Sequence, residues 1–259
     1  MKDLKQLVLT ALPDIPMVQT GDDLVKIIMD GLTKAEIQLL DHDIIVIAQK
    51  IVSKSEGRWV NLVAVQASPR AIALGEKIEK DPRLVELILR ESNQVLRTRL
   101  GTLIVEHKLG FVCANAGIDH SNVAGSGSNT EEWVLLLPEN PDASAQKIRS
   151  QLEALTVARI GVMIIDSHGR AWREGVMGVA IGLAGLPGLV DMRGKSDLFG
   201  YKLRITTIGA ADELAAAASL VMGQAREATP IVHVRGFPYD LREGKLHELL
   251  RPKEQDLFR

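Results

Sequence analysis

The chain has 259 residues, of which 46% are hydrophobic and 25% charged, a composition typical of a water-soluble globular protein with one large or two modest domains. Its 31 Lys and Arg residues against 33 Asp and Glu residues give a formal charge of -2, which disfavours a general nucleic-acid binder because phosphate-backbone binding needs an excess of cations. The single cysteine, Cys113, excludes an intramolecular disulfide and a Cys-rich zinc site, and with no basic-then-apolar leader in the sequence we expect a cytoplasmic protein.

The first half of the chain predicts alternating strands and helices. Leu24, Ile28 and Leu32 recur at helical spacing, whereas the run DIIVIAQKIV is rich in Ile and Val, as in a strand covered on both faces. In order, we predict a strand from Leu4 to Thr10, a helix within GDDLVKIIMDGLTKAEIQL, a strand in DIIVIAQKIV that ends in a turn at 53–57, two helices from Ser68 to Leu100 broken at Pro82, and a hairpin in TLIVEHKLGFVCANAGID.

The second half predicts further strands and helices. In order, these are a short strand in WVLLLP, a helix in DASAQKIRSQLEALT capped by Asp142, a buried strand in RIGVMIID ending at Asp166, a strand and an Ala-rich helix in LRITTIGAADELAAAASLVMG, and a last strand in PIVHVRGF. The uncharged span from Gly175 to Val190 is too short and too Gly-rich for a membrane helix and indicates packed backbone in a crowded core or a subunit interface. Hairpin-like pairs among interleaved helices and strands predict an α+β (mixed α/β) fold.

Familiar catalytic signatures are absent from the sequence. It contains no GxxxxGK[ST] phosphate loop, no GxGxxG after the first strand, no HExxH and no GxSxG. The GSGSN at 125–129 lacks a strand-loop-helix context, so we interpret it as a flexible loop. Aromatic residues make up 3% of the chain, which predicts an aliphatic core and disfavours base-stacking platforms.

Polar side chains follow three of the predicted strands, where open sheets present their ligand sites. Lys54, four residues after Lys50, offers a point charge for a phosphate, although a lysine pair at a strand edge is the simpler interpretation of these two residues alone. Asp119 follows the run NAGI, and Asp166 with Ser167 follows VMII; each aspartate by itself would more often be a turn or cap residue. Together with two nearby arginines they predict metal-assisted chemistry on an anionic substrate, and leave open a kinase, phosphatase, ligase or nucleotidyltransferase.

The same segments resemble one family over nearly the whole chain, as far as Phe237. The similar stretches occur in the family's order, namely ALPDIPMVQTGDDL, DHDIIVIAQKIVSKSEGR, NAGIDHSNV, IIDSHGRAWREGVMGVAIGLAG, ADELAAAASLVMG and TPIVHVRGF. By the combination of NAGID-x-SN with D[ST]-x-GR, the chain resembles the coenzyme F420:L-glutamate ligases, also called F420-0:γ-glutamyl ligases. The resemblance implies a ligase domain over residues 1–240, followed by a charged tail over 241–259 that we expect to be helical.

The resemblance also implies an activity. It is that of a GTP-dependent ligase that adds L-glutamate to coenzyme F420-0 and γ-linked glutamates to F420-1. GTP would phosphorylate the terminal carboxylate, and the amine of glutamate would displace phosphate from the acyl phosphate. Two divalent ions, Mg²⁺ or Mn²⁺, would neutralise the transferring phosphoryl group, and a monovalent cation such as K⁺ would assist.

The resemblance assigns roles to individual residues. Asp119 and Asp166 would be catalytic ligands of one divalent ion, and Ser167 with Gln224 would hold the second. Gln224 stands where some relatives carry Glu, and a neutral amide is a weaker ligand for a hard cation. The guanine nucleotide would be bound by Leu12, Pro13, Asp14, Ile15, Gln49, Lys54, Asn122, Met222, Gly223, Gln224, Ala225, Arg226, Glu227, Ala228 and Thr229.

The family fold implies two chains intertwined as a homodimer, with the active site near the interface. Its partners would be the small molecules F420-0, L-glutamate and GTP, with no nucleic acid and no membrane. Some bacterial relatives carry a C-terminal flavin reductase domain, but this chain ends shortly after Phe237, so we expect no FMN binding. Trp172 is the aromatic residue that we expect to stack on the deazaflavin.

Two alternatives stay open beside this activity. One is a related amide ligase or kinase that acts on another phosphorylated carboxylate with the same metal site. The other is a non-catalytic nucleotide- or metal-binding relative that has kept the fold.

Overall fold

A computed structural model describes residues 5–121, 123 and 132–257 of the chain, and these residues form twelve β-strands and six α-helices. The strands are β1 (Val8–Ala11), β2 (Ile44–Ala48), β3 (Trp59–Asn61), β4 (Ser92–Arg99), β5 (Thr102–His107), β6 (Val112–Ala114), β7 (Trp133–Leu135), β8 (Gly161–Arg170), β9 (Arg173–Ala184), β10 (Val190–Asp191), β11 (Thr207–Ile208) and β12 (Ile231–Arg235). The helices are α1 (Leu24–Lys34), α2 (Gln49–Ser55), α3 (Pro69–Ile78), α4 (Pro82–Arg90), α5 (Pro141–Thr156) and α6 (Ala210–Met222). None of these helices is long and apolar enough to cross a membrane.

The main sheet has five strands in the order β1–β12–β2–β8–β9. β2 and β8 run parallel, with Ile44 in register with Gly161, and the other neighbouring strands of this sheet are antiparallel. A parallel pair inside an otherwise antiparallel sheet, with helices between the strands along the chain, confirms the mixed α/β class predicted from the sequence.

Helices cover both faces of the main sheet. Ile45 and Ile47 pack in one buried cluster with residues of α1 and α5, whereas Ile44 and Val46 pack in another with residues of α6. Successive side chains of a strand point to opposite faces, so a run of Ile and Val fills both clusters at once. The prediction of a strand covered on both faces is therefore confirmed for β2.

A second lobe is built from the sheet β4–β5–β6 with α3 and α4. Its buried cluster includes Ile78, Val85 and Leu103. The short pair β3–β7 lies beside it, and Asp119 forms an isolated bridge to Leu135 of β7. Across the described residues, the buried hydrophobic side chains are aliphatic or those of Ala, Met and Cys, which confirms the aliphatic core expected from the low aromatic content.

The Gly-rich span from Gly175 to Val190 contains most of β9, and its glycines from Gly178 onward are packed closely. A Cβ atom added at Gly178 would overlap the carbonyl oxygen of Ala215 and the side chain of Ser219 in α6. A Cβ atom at Gly182 would overlap Pro141. The prediction of crowded, packed backbone in this span is confirmed.

Residues 92–99 form strand β4 and not the end of a helix, so this part of the helical prediction is wrong. The helix α4 ends at Arg90, and Ser92–Arg99 pairs antiparallel with β5. The next segment of the chain, β5, supplies the partner strand. Pairing with β5 therefore makes residues 92–99 a strand, because their own helical pattern is weak.

The predicted turn at 53–57 also differs, because helix α2 begins directly after β2. Lys50 and Lys54 therefore lie one turn apart on a helix and not at a strand edge. Ile51 and Val52 of this helix are both buried, so they continue the apolar run of β2. The sequence therefore gives no sign of the change from strand to helix.

Several predicted ends are shifted. β1 begins at Val8, β8 continues past Asp166 to Arg170 because it pairs with β9, and α5 is capped by Asn140. Asp142 instead accepts a hydrogen bond from the backbone N–H of Leu183 at 2.8 Å. The tail from 241 is not a continuous helix; it contains two 3₁₀ turns, Leu246–Leu249 and Lys253–Gln255, separated by a proline.

Candidate active site

A cleft of about 970 Å³ opens where β2 ends and where β8 leaves the core. Since Ala48 of β2 is in register with Ile165 of β8 in a parallel pair, the residues that follow, Gln49 and Asp166, are brought side by side. Crevices outside the carboxyl ends of parallel strands are the usual ligand sites of such sheets. The cleft is lined by residues of segments 15–18, 48–54, 119–121, 165–167 and 219–230, together with Val123.

Asp119 is held in the cleft by its backbone and its side chain. Its N–H and C=O both pair with Leu135 at 3.0 Å. Its carboxylate accepts a hydrogen bond from Gln49 Nε2 at 2.6 Å and lies 3.2 Å from Lys50 Nζ. Burial and the negative charge of Asp166 raise the pKa of Asp119 to about 6, although Lys50 and Gln49 act to lower it. Two carboxylates therefore repel each other across one site, which a cation would relieve.

Helix α2 supplies the cationic side of the cleft. Lys54 lies one turn after Lys50, with its Nζ 5.6 Å from the centre of the Trp59 ring. Burial, and then the charge of Lys50, lower the pKa of Lys54. Ser53 Oγ donates to Gln49 Oε1 at 2.9 Å, which fixes the amide that contacts Asp119. The helix thus directs two ammonium groups and one oriented amide toward the carboxylates.

Asp166 and Ser167 are held by partners from different elements. Asp166 Oδ2 lies 3.0 Å from His168 Nε2. Ser167 Oγ donates to Gln224 Oε1 at 2.9 Å, and Gln224 Nε2 donates to Ser219 Oγ of α6 at 2.8 Å. The hydroxyl of Ser167 and the amide oxygen of Gln224 therefore meet in the cleft, and Gln224 continues this chain of hydrogen bonds to α6.

The loop after α6 forms one wall of the cleft. Gly223 ends the helix with φ 73°, a conformation that favours glycine. Glu227 Oε2 accepts a hydrogen bond from the N–H of Ala225 at 2.8 Å, and Thr229 Oγ1 donates to the carbonyl of Met222 at 3.0 Å. These hydrogen bonds within the loop hold its backbone in place at the wall of the cleft.

The oxygen donors of this site fit a hard divalent cation. Two carboxylates, a hydroxyl and an amide oxygen are ligands that Mg²⁺ and Mn²⁺ accept, with water or phosphate oxygens completing the shell. Among the described residues, no group of three or more His, Cys, Asp or Glu side chains is placed to hold an ion. Two carboxylates, one hydroxyl and one amide oxygen leave coordination positions of a hard cation open to water or to substrate oxygens.

Residues 14–236 match the family described as F420-0:Gamma-glutamyl ligase. The chain belongs to this family. Proteins named Coenzyme F420:L-glutamate ligase are similar to it: that of Methanothermobacter thermautotrophicus is 48% identical over 247 residues, with 95% of this chain and 96% of the relative covered. That of Methanocaldococcus jannaschii is 44% identical with 87% and 88% covered, and that of Archaeoglobus fulgidus is 39% identical with 95% and 93% covered.

Most of the residues that the family resemblance assigned line the cleft together. They are Ile15, Gln49, Lys54, Asp119, Asp166, Ser167, Met222, Gly223, Gln224, Ala225, Arg226, Glu227, Ala228 and Thr229. Asn122 lies outside the described residues. The fold thus brings these predicted residues, which are far apart along the chain, into one cleft.

Three residues predicted to bind the nucleotide lie elsewhere. The side chain of Leu12 is buried in the core between α1 and the main sheet. Pro13 does not line the cleft, and Asp14 pairs with Lys34 at 3.6 Å beside a separate depression of about 340 Å³. Of the segment 12–15, Ile15 is therefore the residue whose side chain reaches the cleft.

Trp172 lies at the tip of the β8–β9 hairpin and is 88% exposed, with φ 62°. It does not line the cleft, and its stacking on the deazaflavin stays a prediction. It lies away from the cleft because β8 continues beyond Asp166, which carries the following residues out of the core.

Sequence reasoning missed two hydroxyl groups that orient the site, Ser53 and Ser219. Ser53 stands four residues after Gln49, one helical turn, and Ser219 is the one hydroxyl residue in the Ala-rich helix α6. Both signals were present in the sequence, but they become informative only when α2 is known to be a helix and Gln224 is known to lie beside α6.

Proposed function

We propose that the chain is a GTP-dependent ligase that adds L-glutamate to coenzyme F420-0, and then γ-linked glutamates to F420-1, through an acyl phosphate. Its family membership and the activity for which its relatives are named support this proposal. The observation that carries it is the convergence of Asp119 and Asp166 with the ammonium groups of α2 in one cleft.

The residues divide the work of this reaction between binding and positioning. Lys54, Gln49 and the loop 222–229 would hold the nucleotide, together with Ile15 and Asn122. Two divalent ions, held by Asp119, Asp166, Ser167 and Gln224, would supply charge neutralisation at the transferring phosphoryl group, and K⁺ would assist. No electrons are transferred, so the proposal includes no flavin.

The chemistry balances in two steps. The γ-phosphoryl group of GTP passes to the terminal carboxylate of F420-0, which releases GDP and leaves an acyl phosphate. The amine of L-glutamate then attacks the acyl carbon, phosphate leaves, and an amide bond forms with loss of a proton. Lys54 lies where its charge would stabilise phosphate oxygens in both steps, and burial of its ammonium strengthens that attraction.

We further propose that the protein works as a homodimer in the reducing cytoplasm. Three apolar side chains between β10 and β11 support the dimer, since Leu198, Phe199 and Ile205 are 97%, 96% and 89% exposed. Several large apolar side chains exposed along one short segment are typical of a surface that another protein covers. The free thiol of Cys113 supports the proposal of a reducing cytoplasm.

A turnover assay tests the activity. Purified protein with GTP, Mn²⁺ or Mg²⁺, L-glutamate and F420-0 is expected to yield GDP, phosphate and a product heavier by one glutamate, measured by mass spectrometry. Consumption of GTP only with another carboxylate acceptor would favour the related ligase or kinase. GTP binding without turnover of any acceptor would favour a non-catalytic relative.

The variant Asp166→Ala should abolish turnover while the protein stays folded, because it removes a proposed ligand of the divalent ion. The matched control is Asp240→Ala, which removes an exposed carboxylate that does not line the cleft. Circular dichroism and thermal unfolding check the fold of both variants. Full activity of Asp166→Ala would show that the metal assignment is wrong.

A further inference from the structure

His168 lies beside the carboxylate of Asp166 on the same strand. In β8 the side chains of residues two apart share a face, so Asp166 and His168 point the same way. The Nε2 atom of His168 is 3.0 Å from Asp166 Oδ2, and the two side chains are 11% and 14% exposed. An ionised carboxylate only accepts hydrogen bonds, so Nε2 carries the proton that is shared with Oδ2.

The imidazole of His168 is itself held by the second lobe. The ring of Phe111 packs against it with centroids 5.2 Å apart and planes tilted by 49°. On its other side Phe111 stacks on His107, again at 5.2 Å and nearly parallel at 8°. Because His107 is only 3% exposed, this row of three rings is anchored in the core of the lobe.

We propose that His168 is a positioning residue that fixes the orientation of the Asp166 carboxylate for a divalent cation. The hydrogen bond occupies Oδ2 and restrains rotation of the carboxyl group, which leaves Oδ1 available to the cation. The inference rests on the proposed function only in taking Asp166 as a ligand of a divalent ion. Outer partners that orient a ligating side chain commonly contribute 10- to 100-fold to metal affinity or activity.

The hydrogen bond, and not the ring alone, carries this role. A phenyl group at position 168 would keep the contact with Phe111 but could not donate to Asp166. A glutamine at the same position would keep an N–H donor at a similar distance from the backbone while it loses the aromatic contact. The two substitutions therefore separate orientation of the carboxylate from packing of the rings.

The test measures binding of Mn²⁺ alone, without nucleotide or acceptor, by titration calorimetry and electron paramagnetic resonance. His168→Phe should weaken Mn²⁺ binding about 10- to 100-fold and change the spectrum, with a melting temperature close to that of the wild type. His168→Gln should recover most of the affinity. Phe111→Leu, which keeps the donor, should weaken binding by less than His168→Phe.

Several outcomes would overturn the proposal. These are wild-type affinity in His168→Phe, an affinity of His168→Gln as low as that of His168→Phe, or no Mn²⁺ binding by the wild type. If His168→Phe does not fold, the imidazole N–H resonance of His168 in the wild type decides by NMR, since it should shift when Mg²⁺ saturates the protein. A resonance that does not move overturns the proposal.

The ligase activity can fail independently of this role. A wild-type protein that binds Mn²⁺ but does not join glutamate to F420-0, with weakened binding in His168→Phe, would disprove the activity and support the positioning role. Normal ligation by the wild type, with an unaffected Mn²⁺ affinity in His168→Phe, would support the activity and disprove the positioning role.

Discussion

At the scale of single residues, His107 is a buried imidazole that the fold keeps neutral. Its Nδ1 accepts a hydrogen bond from the backbone N–H of Leu109 at 3.0 Å, and its Nε2 has no hydrogen-bond partner among the described residues. Burial lowers the pKa of His107 from 6.5 to about 4, and the opposing charge of Glu91 does not offset it. A proton on this ring would be desolvated, so the folded protein resists protonation there.

This pKa predicts a stability change between about pH 6.5 and pH 4. In that window the unfolded chain binds a proton at His107 and the folded chain does not, so the free energy of unfolding falls as the pH falls. Above pH 6.5, protonation of His107 does not reduce the free energy of unfolding. By pH 4 it has lowered the free energy of unfolding by an amount on the order of 3 kcal/mol. Urea unfolding of the wild type and of His107→Phe at several pH values measures it.

The variant His107→Phe should show a flatter dependence of stability on pH because the titrating group is gone while the ring stack is kept. The matched control is His247→Gln, which removes an exposed imidazole and should leave the wild-type slope unchanged. Equal slopes for His107→Phe and the wild type would contradict the prediction.

At the scale of elements, the packing of α6 on β9 depends on the absence of a side chain at Gly178. A Cβ atom there would overlap backbone and side-chain atoms of α6. Gly178→Val should therefore lower the free energy of unfolding by about 1–3 kcal/mol, the usual effect of overpacking a core. Gly169→Val is the control, since a Cβ at Gly169 in β8 meets no atom within 4 Å.

Chemical denaturation of the two variants measures this effect. Equal stabilities of Gly178→Val and Gly169→Val would show that α6 can move away from β9 without cost. Because Ser219 of α6 holds Gln224, we also expect weaker nucleotide binding in Gly178→Val than in the control.

How far the fold could be predicted differs from element to element. α1, α3 and α4 were predictable from their helical periodicity, whereas β2 and the β5–β6 hairpin were predictable from short, strand-like apolar runs. β4 was not, because its structure depends on pairing with β5. α2 was not, because a short helix buried on one side continues the apolar run of the preceding strand.

The site divides in the same way. Asp119 and Asp166 could be predicted because polar residues at the ends of apolar runs stand out in a sequence. The contacts that orient them could not, because Gln49 meets Asp119 only through the pairing of β2 with β8 and the bridge of Asp119 to β7. The position of Trp172 depended on how far β8 continues, which the apolar pattern did not determine.

At the scale of the whole molecule, the exposed segment between β10 and β11 is where we expect the two chains of the proposed homodimer to meet. Phe199→Asp should shift the protein toward the monomer, because it places a charge in apolar surface that the partner would cover. Light scattering coupled to size-exclusion chromatography measures the mass. The control Leu257→Asp changes a similarly exposed leucine in the tail and should leave the dimer intact.

A monomeric wild type would contradict the homodimer itself. A dimeric Phe199→Asp variant at all measured concentrations would show instead that the interface lies on another face.

The parallel pairing of β2 with β8 has a consequence for folding kinetics. Ile44 can align with Gly161 only after the long intervening chain has closed into a loop, and such non-local pairings slow the folding of a protein. Helices α1, α3 and α4 rest on local contacts and can form early. Affinity for a nucleotide should therefore arise in the last refolding phase, well after most of the helical signal has been regained.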